Sequence, residues 1–276
     1  MSPLIRRLPV PVAPFPTETV GSYVTRLALA NHLERATLDG LLREPGISRG
    51  PADLRRLTAA TGKSSVVLQH ALSELGPRRL WLRGEVPRLA CRLCVAAQGI
   101  SGRVSVRAPG HRDVCLRHRR WTGPTVRRLE EQYDLSHLPE ILVAANRHHR
   151  LVRQHGLVEA RRAYQDALEV NLGWAMLGWW CRHRDQRLRQ LPGGPARLIG
   201  DPALHAAVYP ETVRLACVMV SPHWTAVAAS ADVSDREPFY AEVARRLDLS
   251  EYRPSVGDPL ARWVAREARL GIAQCE

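Results

Sequence analysis

Three cysteines and one histidine carry the strongest chemical signal in this sequence. Cys91 and Cys94 are separated by two residues, and Cys115 and His118 repeat that spacing after twenty intervening residues. Thiolates and an imidazole in two such pairs are typical donors of a four-coordinate zinc site. Four protein ligands leave no open position for water, so the spacing predicts a structural Zn²⁺ ion rather than a catalytic one.

Arginine flanks both pairs of predicted ligands. Arg88 and Arg92 lie beside the first pair, and Arg117 and Arg119 lie beside the second. Their guanidinium groups help to offset the charge of three thiolates. The segment holds few apolar residues, so we expect metal binding to supply much of its folding free energy.

The other cysteines do not suggest a second metal site. Cys181 is followed by His183, but no matching pair stands elsewhere, and Cys217 and Cys275 are isolated. Each is predicted to be a small buried apolar residue. Cysteine use of this kind is not that of a secreted disulfide framework, and it indicates a cytoplasmic protein.

The common enzyme signatures are missing. There is no phosphate-binding glycine loop, no Gly-x-Ser-x-Gly turn and no His-Glu-x-x-His helix. The pair His32 and Glu34, taken with Cys91 and Cys94, superficially resembles a zinc deaminase signature. The proline expected before Cys91 is absent, however, and that reading leaves Cys115 without a role. We predict that the protein is not an enzyme.

The charge balance favours a polyanionic partner. The formal net charge is +13, and the 40 basic residues comprise one lysine, Lys63, and therefore 39 arginines. A GC-rich genome accounts for arginine over lysine but not for the excess over Asp and Glu. The resulting positive field favours nucleic acid, and DNA is the predicted partner. The apolar runs Trp174–Trp180 and Leu215–Val220 are too short to cross a bilayer.

Apolar periodicity and turn residues predict a mainly helical chain. A proline-rich arm precedes a helix that begins at Thr17 or Thr19 and buries Tyr23, Leu27, Ala30 and Leu33. Further predicted elements are a short helix at Leu38–Arg43 ending at Pro45-Gly46, a strand at Arg103–Arg107, helices at Val126–Tyr133, Pro139–His155, Val158–Gln190, Pro238–Leu247 and Pro259–Gln274, and a loop at Leu191–Asp201.

A helix-turn-helix pattern occupies the region after residue 52. Asp53 is predicted to cap a first helix, Gly62 to end it, and Ser64 or Ser65 to begin a second that closes at Gly76-Pro77. The inward residues are Leu54, Leu57, Ala60 and Thr61 on the first helix, and Val67, Leu68, Ala71, Leu72 and Leu75 on the second.

The outward residues of this unit are the predicted DNA contacts. They are Arg55, Arg56, Lys63, Ser64, Ser65 and Gln69. Arg55, Arg56 and Lys63 suit phosphates, and Gln69 suits adenine. The second helix presents no arginine, and Glu74 would repel the DNA backbone. Contact with phosphates is therefore favoured over sequence-specific reading.

These elements give a mainly α fold of helical domains, with a helix-turn-helix-like unit and a small zinc-ribbon-like insert. The predicted domains are an arm with helical domain at 1–80, a zinc module at 81–124 and a carboxy-terminal helical domain at 125–276.

The order of features in residues 8–124 resembles the TniQ family of transposition target-selection proteins. The run from Leu8 to Ala28, with Glu18, Ser22 and Tyr23 after a proline-rich arm, is similar to that family's opening. The two metal-ligand pairs are similar to its zinc module. This chain departs from the pattern at Arg92, where the family commonly has proline, and at 119–121, Arg-Arg-Trp, where it has a glycine-bearing turn.

The resemblance implies an accessory role in cut-and-paste transposition. TniQ-like proteins direct a transposase and its AAA+ regulator to target DNA and do not cut DNA themselves. The implied partners are therefore DNA and a transposase or its AAA+ regulator. A homodimer is a separate candidate assembly, which a transcriptional regulator would use on an operator.

Two alternatives stay open at this point. A zinc-containing helix-turn-helix transcriptional regulator would need side chains that read bases. A protein-interaction adaptor without DNA contact would use its basic surface on an acidic partner, with the Trp174–Trp180 run as a docking face. A run of this kind at helical spacing more often belongs to the core.

Overall fold

The computed structural model of the protein describes residues 5–44, 52–76, 87–179, 181–192, 198–249 and 252–273. Within these ranges the chain forms twelve α-helices and four two-residue strands. The predicted mainly α class is confirmed. The chain divides into two compact units, of which unit 1 comprises Met1–Pro109 with Arg127–Leu129 and unit 2 comprises Gly110–Val126 with Glu130–Glu276.

Unit 1 is built on four short helices that share one apolar core. The helices are α1 (Val20–Ala30), α2 (Arg35–Leu42), α3 (Leu54–Thr61) and α4 (Ser65–Ala71). Tyr23, Leu27, Leu57 and Leu68 are fully buried in this core. Burying each such side chain contributes about 1.5–3 kcal/mol, so the four helices stabilise one another by packing rather than by length.

Helix α1 begins as the sequence predicts. Thr19 is extended, and its hydroxyl accepts a hydrogen bond from the Ser22 amide at 3.1 Å. The alternative cap, Thr17, instead has a left-handed φ of 61°. The helix ends at Ala30, so the prediction that Leu33 lies on its inner face is wrong, and Leu33 is exposed.

A buried polar network ties α1 to the proline-rich arm. Glu18 is fully buried, and its carboxylate accepts hydrogen bonds from the Phe15 amide, the Ser22 hydroxyl and the Arg26 guanidinium. The Ser22 hydroxyl also accepts from the Ser105 amide at 3.0 Å. The Glu-x-x-x-Ser spacing therefore has a structural role, because it satisfies the charge that the fold buries.

Helices α3 and α4 begin at the predicted capping residues, and α3 ends at the predicted glycine. Asp53 accepts from the Arg56 amide at 2.9 Å, and Ser64 caps α4 by accepting from the Val67 amide at 3.3 Å. Gly62 ends α3 with a left-handed φ of 67°, a conformation that favours glycine.

The second helix of the predicted unit is shorter than the sequence suggests. It ends at Ala71, and a separate 3-10 turn covers Ser73–Leu75. The prediction that Val67 faces inward is wrong, since its side chain is 46% exposed. Gly76 is described, whereas Pro77, like the Pro45-Gly46 stop of α2, lies outside the described residues.

Two short strands and one helical turn complete unit 1. Strand β1 (Arg88–Leu89) pairs antiparallel with β2 (Ser105–Val106), and α5 (Arg92–Ala96) follows β1. Strand β2 lies inside the predicted strand at Arg103–Arg107. A small core of Phe15, Ala90, Val95, Val104 and Val106 lies beneath these elements.

Unit 2 is organised around one buried helix. Its elements are β3 (Val114–Cys115), β4 (Arg120–Trp121), α6 (Pro139–His155), α7 (Leu157–Met176), α8 (Arg182–Gln190), α9 (Pro202–Met219), α10 (Pro222–Ala228), α11 (Glu237–Leu247) and α12 (Pro259–Ala273). Helices α6, α7, α8, α10 and α11 all contact α9. Sixteen of the eighteen residues of α9 are buried, so it forms the centre of the core.

Several helix predictions in unit 2 need correction. The predicted helix at Val126–Tyr133 is wrong, because only a 3-10 turn at Leu129–Glu131 forms there. The predicted helix at Val158–Gln190 is two helices, α7 and α8, interrupted near Gly178, which has a φ of 75°. Helices α6 and α11 match their predictions within one residue, and α12 begins at the predicted Pro259, whereas Gln274 lies outside the described residues.

The tryptophan-rich run lies partly in the core. Trp174 is 5% exposed, stacks on Trp179 at 6.1 Å between ring centroids, and donates to Asp258 at 3.0 Å. Met176 and Leu177 are exposed, and Trp180 lies outside the described residues. None of the described helices combines the length and apolar character needed to span a membrane.

Candidate metal centre and nucleic-acid interface

The first ligand pair lies at the start of α5. Cys91 directly precedes this helix, and Cys94 lies within its single turn. The Val95 amide donates to the Cys91 carbonyl at 3.0 Å, and Val95 packs into the small core of unit 1. The turn therefore holds both thiols on one side of a short, anchored helix.

The second pair lies in a tight hairpin. Strands β3 and β4 pair antiparallel with Cys115 opposite Arg120, and His118 lies in the connecting turn. The Cys115 Sγ and His118 Nδ1 atoms are 3.7 Å apart. Tetrahedral zinc with bonds of about 2.3 Å to sulfur and 2.0 Å to nitrogen places such atoms about 3.6 Å apart, so the hairpin presents these donors at a suitable distance.

The residue after His118 is an arginine in a backbone conformation that favours glycine. Arg119 has a φ of 49°, in the left-handed region where a Cβ is unfavourable. The hairpin forms with the strained residue, and the strain is confined to one exposed position.

The four predicted ligands converge. One ligand atom each from Cys91, Cys94, Cys115 and His118 can be chosen such that all lie within 4.8 Å of one another. Cys91 is buried and the other three are half-buried. Three soft thiols and one imidazole form a donor set suited to a tetrahedral metal ion. The group could therefore hold one metal ion.

The remaining cysteines lie apart from this group. Cys181 and Cys217 are half-buried rather than fully buried, and burial raises the pKa of both thiols. His183 is exposed and lies 3.4 Å from Asp248. Cys275 lies outside the described residues. Among the described residues, the Cys91 group is the one set of three or more potential ligands that comes together.

The predicted DNA contacts differ in how exposed they are. Arg55 and Ser65 are exposed on α3 and α4. Arg56 is half-buried and donates to the Leu41 carbonyl at 2.7 Å. Lys63 is half-buried in the turn after α3, and Gln69 is half-buried on α4. Arg55 is thus the most accessible of the three predicted cations.

Two other residues of this region, Ser64 and Glu74, are held by contacts within the fold. Ser64 is exposed, but its oxygen already caps α4. Glu74, expected to repel a DNA backbone, accepts from the Val20 amide and pairs with Arg107 at 2.7 Å. Its charge is therefore offset by Arg107.

The arm contributes a cation that the sequence prediction missed. The Leu8 amide donates to the Ala60 carbonyl at 2.8 Å, which seats the arm on α3. Arg7 is exposed, and its Nε atom lies 2.7 Å from the place a Cβ would occupy on Gly62. The absence of a side chain at Gly62 therefore allows both the left-handed turn and the close approach of Arg7. The Arg7 guanidinium consequently lies beside the α3–α4 turn.

Unit 2 also contains a buried imidazole outside the metal-ligand group. His148 on α6 is 1% exposed, its Nδ1 lies 3.1 Å from the Tyr209 hydroxyl, and its ring stacks on Tyr164. Burial is the main reason why its pKa falls to about 3, and His111 and His149 lower it further. His148 is thus a neutral core residue at neutral pH.

Comparison with known proteins identifies no relative. The chain matches no family model, no curated protein and no solved structure.

Proposed function

We propose that this protein is a zinc-containing, DNA-binding accessory protein of the TniQ kind, which directs transposition machinery to target DNA and is not itself an enzyme. The observation that carries the proposal is the convergence of Cys91, Cys94, Cys115 and His118 within 4.8 Å. Their order behind a Glu18-x-x-x-Ser22-Tyr23 opening is the pattern that resembles TniQ.

Zinc is the metal that this donor set favours. Three thiolates and one imidazole suit an ion that is borderline soft and tetrahedral. When bound, the metal supplies a structural cross-link with no open coordination position. Cys91 and Cys94 would hold it from α5, and Cys115 and His118 from the β3–β4 hairpin.

The surface of the α3–α4 pair supports contact with the DNA backbone. Arg55 is exposed near the start of α3, and Lys63 and the arm residue Arg7 add positive charge at the turn that follows the helix. The exposed side of α4 presents Ser65, Val66 and Val67, without an arginine or lysine to read guanine. Phosphate contacts carry no sequence information, so this surface favours binding to many DNA sequences.

A role in binding rather than hydrolysis agrees with the placement of the carboxylates. A metal-dependent nuclease gathers several acidic side chains around its ions. In the described part of the chain, Asp and Glu form no such cluster. Buried carboxylates such as Glu18 and Glu211 are paired with arginine instead.

Metal content tests the zinc part of the proposal. Purified wild-type protein should contain one zinc ion per chain by elemental analysis. Cys115→Ser should lose the ion, whereas the matched variant Cys181→Ser, which alters a half-buried cysteine outside the group, should retain it. Wild-type protein without stoichiometric zinc, or Cys115→Ser that retains it, would contradict the assignment.

A panel of unrelated duplexes tests the DNA part. At fixed low salt, we expect zinc-loaded protein to bind duplexes of equal length with affinities within about threefold, as phosphate contacts predict. A preference of about 1,000-fold for one sequence would instead favour the transcriptional regulator. Absence of binding to every duplex would reject both DNA-binding functions and favour the adaptor.

A further inference from the structure

Helix α6 presents a continuous face of unpaired arginines. Arg147, Arg150 and Arg153 recur every third residue and are all exposed. At 1.5 Å per residue they span about 9 Å of the helix axis. None of the three makes an ion pair with another residue in the described ranges. We refer to these three residues as the α6 arginine face.

The rest of the exposed side of α6 carries little opposing charge and includes one apolar residue, Val143, which is 59% exposed. Asn146 and Gln154 are exposed on the same side as the arginines. The only carboxylate within α6 is Glu140, two turns before Arg147. The Glu140 Oε1 atom lies 4.0 Å from the buried guanidinium of Arg187. The negative charge of Glu140 is therefore partly offset by Arg187.

A fourth arginine extends this positive region. The 3-10 turn at Gly110–Arg112 contacts α6, and Arg112 is exposed. Its guanidinium lies close enough to His149 to act on its titration. Burial is the largest cause that lowers the pKa of His149, and the charges of Arg112 and Arg153 lower it further. The local field along this side of α6 is therefore positive.

We propose that the α6 arginine face binds the phosphate backbone of nucleic acid, as a second contact surface in addition to the α3–α4 pair. The inference rests on the proposed DNA-binding function and assigns part of it to unit 2. Duplex DNA carries one negative charge per about 1.7 Å of axis, so a row of three cations meets several phosphates. Arginine with asparagine and glutamine is a typical set of side chains for phosphate and sugar contacts.

A membrane surface is a poorer fit for the same charges. An interfacial helix inserts an apolar face beside its basic one. The apolar face of α6, formed by Ile141, Ala144, Ala145 and Leu151, is buried in the core of unit 2. A polyanion that needs only the charged side therefore matches this helix better.

The test uses the full zinc-loaded chain and one mixed-sequence duplex across a salt series. The variant Arg147→Gln/Arg150→Gln/Arg153→Gln should bind about 100-fold more weakly near 0.1 M salt. Its slope of log affinity against log salt should be shallower by about 2–3, since each phosphate contact contributes about 0.9. A control with equal loss of charge, Arg182→Gln/Arg189→Gln/Arg262→Gln, alters three exposed arginines of α8 and α12 and should lose less than about fivefold.

The outcomes separate this inference from the function on which it rests. Wild-type protein that binds no duplex would reject the proposed DNA-binding function itself. Wild-type protein that binds, together with an α6 variant of unchanged affinity and slope, would overturn only the α6 assignment and leave an acidic protein as the partner of this face. Equal losses in the α6 and control variants would also overturn it, because net charge alone would then explain the effect. Thermal unfolding of each variant ensures that binding is compared between folded proteins.

Discussion

Two regions of this chain use arginine in opposite ways. In unit 1, Arg26 forms an ion pair with the fully buried Glu18, so the positive charge of Arg26 is neutralised within the fold. In unit 2, Arg147, Arg150 and Arg153 stand exposed on α6. A net charge of +13 therefore does not measure the charge available to a partner. Which arginines are paired decides whether a substitution alters folding stability or binding.

The largest effect expected from this comparison is on stability, at the buried pair. Glu18→Ala leaves the Arg26 guanidinium without its carboxylate, and breaking a buried pair costs about 3–5 kcal/mol. Urea unfolding measures the loss. The matched control is Asp39→Ala, which removes the half-buried i,i+4 partner of the exposed Arg35 and should cost under about 0.5 kcal/mol. Equal losses for the two variants would break the comparison.

The buried His148 on the inner side of α6 should make the free energy of unfolding depend on pH. The folded-state pKa of His148 is about 3, below its usual value of 6.5, so the unfolded chain binds more protons between these values. The contribution of neutral His148 is fully present above pH 6.5 and is lost as the pH falls towards 3. Between pH 6.5 and 4.5 the loss is about 2–3 kcal/mol.

The variant His148→Gln isolates this contribution. It should show a flatter dependence of the free energy of unfolding on pH over that interval, measured by urea titration at several pH values. An unchanged slope would mean that other groups account for the acid sensitivity. The salt dependence of DNA binding near neutral pH should stay as in the wild type, because His148 faces the core.

Substitutions on the α3–α4 pair should have an effect of intermediate size, and they should weaken DNA binding without altering stability. Arg55→Gln/Lys63→Gln removes two predicted phosphate contacts, so the salt slope should become shallower by about 2 and the affinity should fall by about 10- to 50-fold near 0.1 M salt. Stability should change by under about 0.5 kcal/mol. A loss larger than that of the α6 triple variant would reverse the ranking of the two surfaces.

The smallest effect is expected at the hairpin turn. Arg119 adopts a φ of 49°, and its replacement by glycine removes a backbone cost of about 1–2 kcal/mol while adding unfolded-state entropy. Arg119→Gly should therefore stabilise the protein by under about 1 kcal/mol, as measured by thermal unfolding. Arg117→Gly, at a residue without positive φ, should destabilise it instead.

Local chemistry in the sequence predicted the parts of this structure that depend on a few neighbouring residues. The caps at Thr19, Asp53 and Ser64 form as predicted, because each needs only one side chain and a nearby amide. The pairs Cys91/Cys94 and Cys115/His118 come together as their spacing predicts.

Features that depend on tertiary packing were missed. Helix α9 is buried on nearly all sides, so it has no polar face and no amphipathic period by which to recognise it. Val67 was expected to face inward from its spacing, but α4 is too short to bury it. The contact between Arg7 and Gly62 joins distant parts of the sequence, and no local pattern signals it.

The most direct test of the central claim is the salt dependence of DNA binding by zinc-loaded wild-type protein. The five cations of the exposed Arg55, the half-buried Lys63 and the α6 arginine face predict a slope of log affinity against log salt of about −4 to −5. The slope should be alike for unrelated duplexes. A slope near zero, or no binding at low salt, would contradict a function based on the DNA backbone.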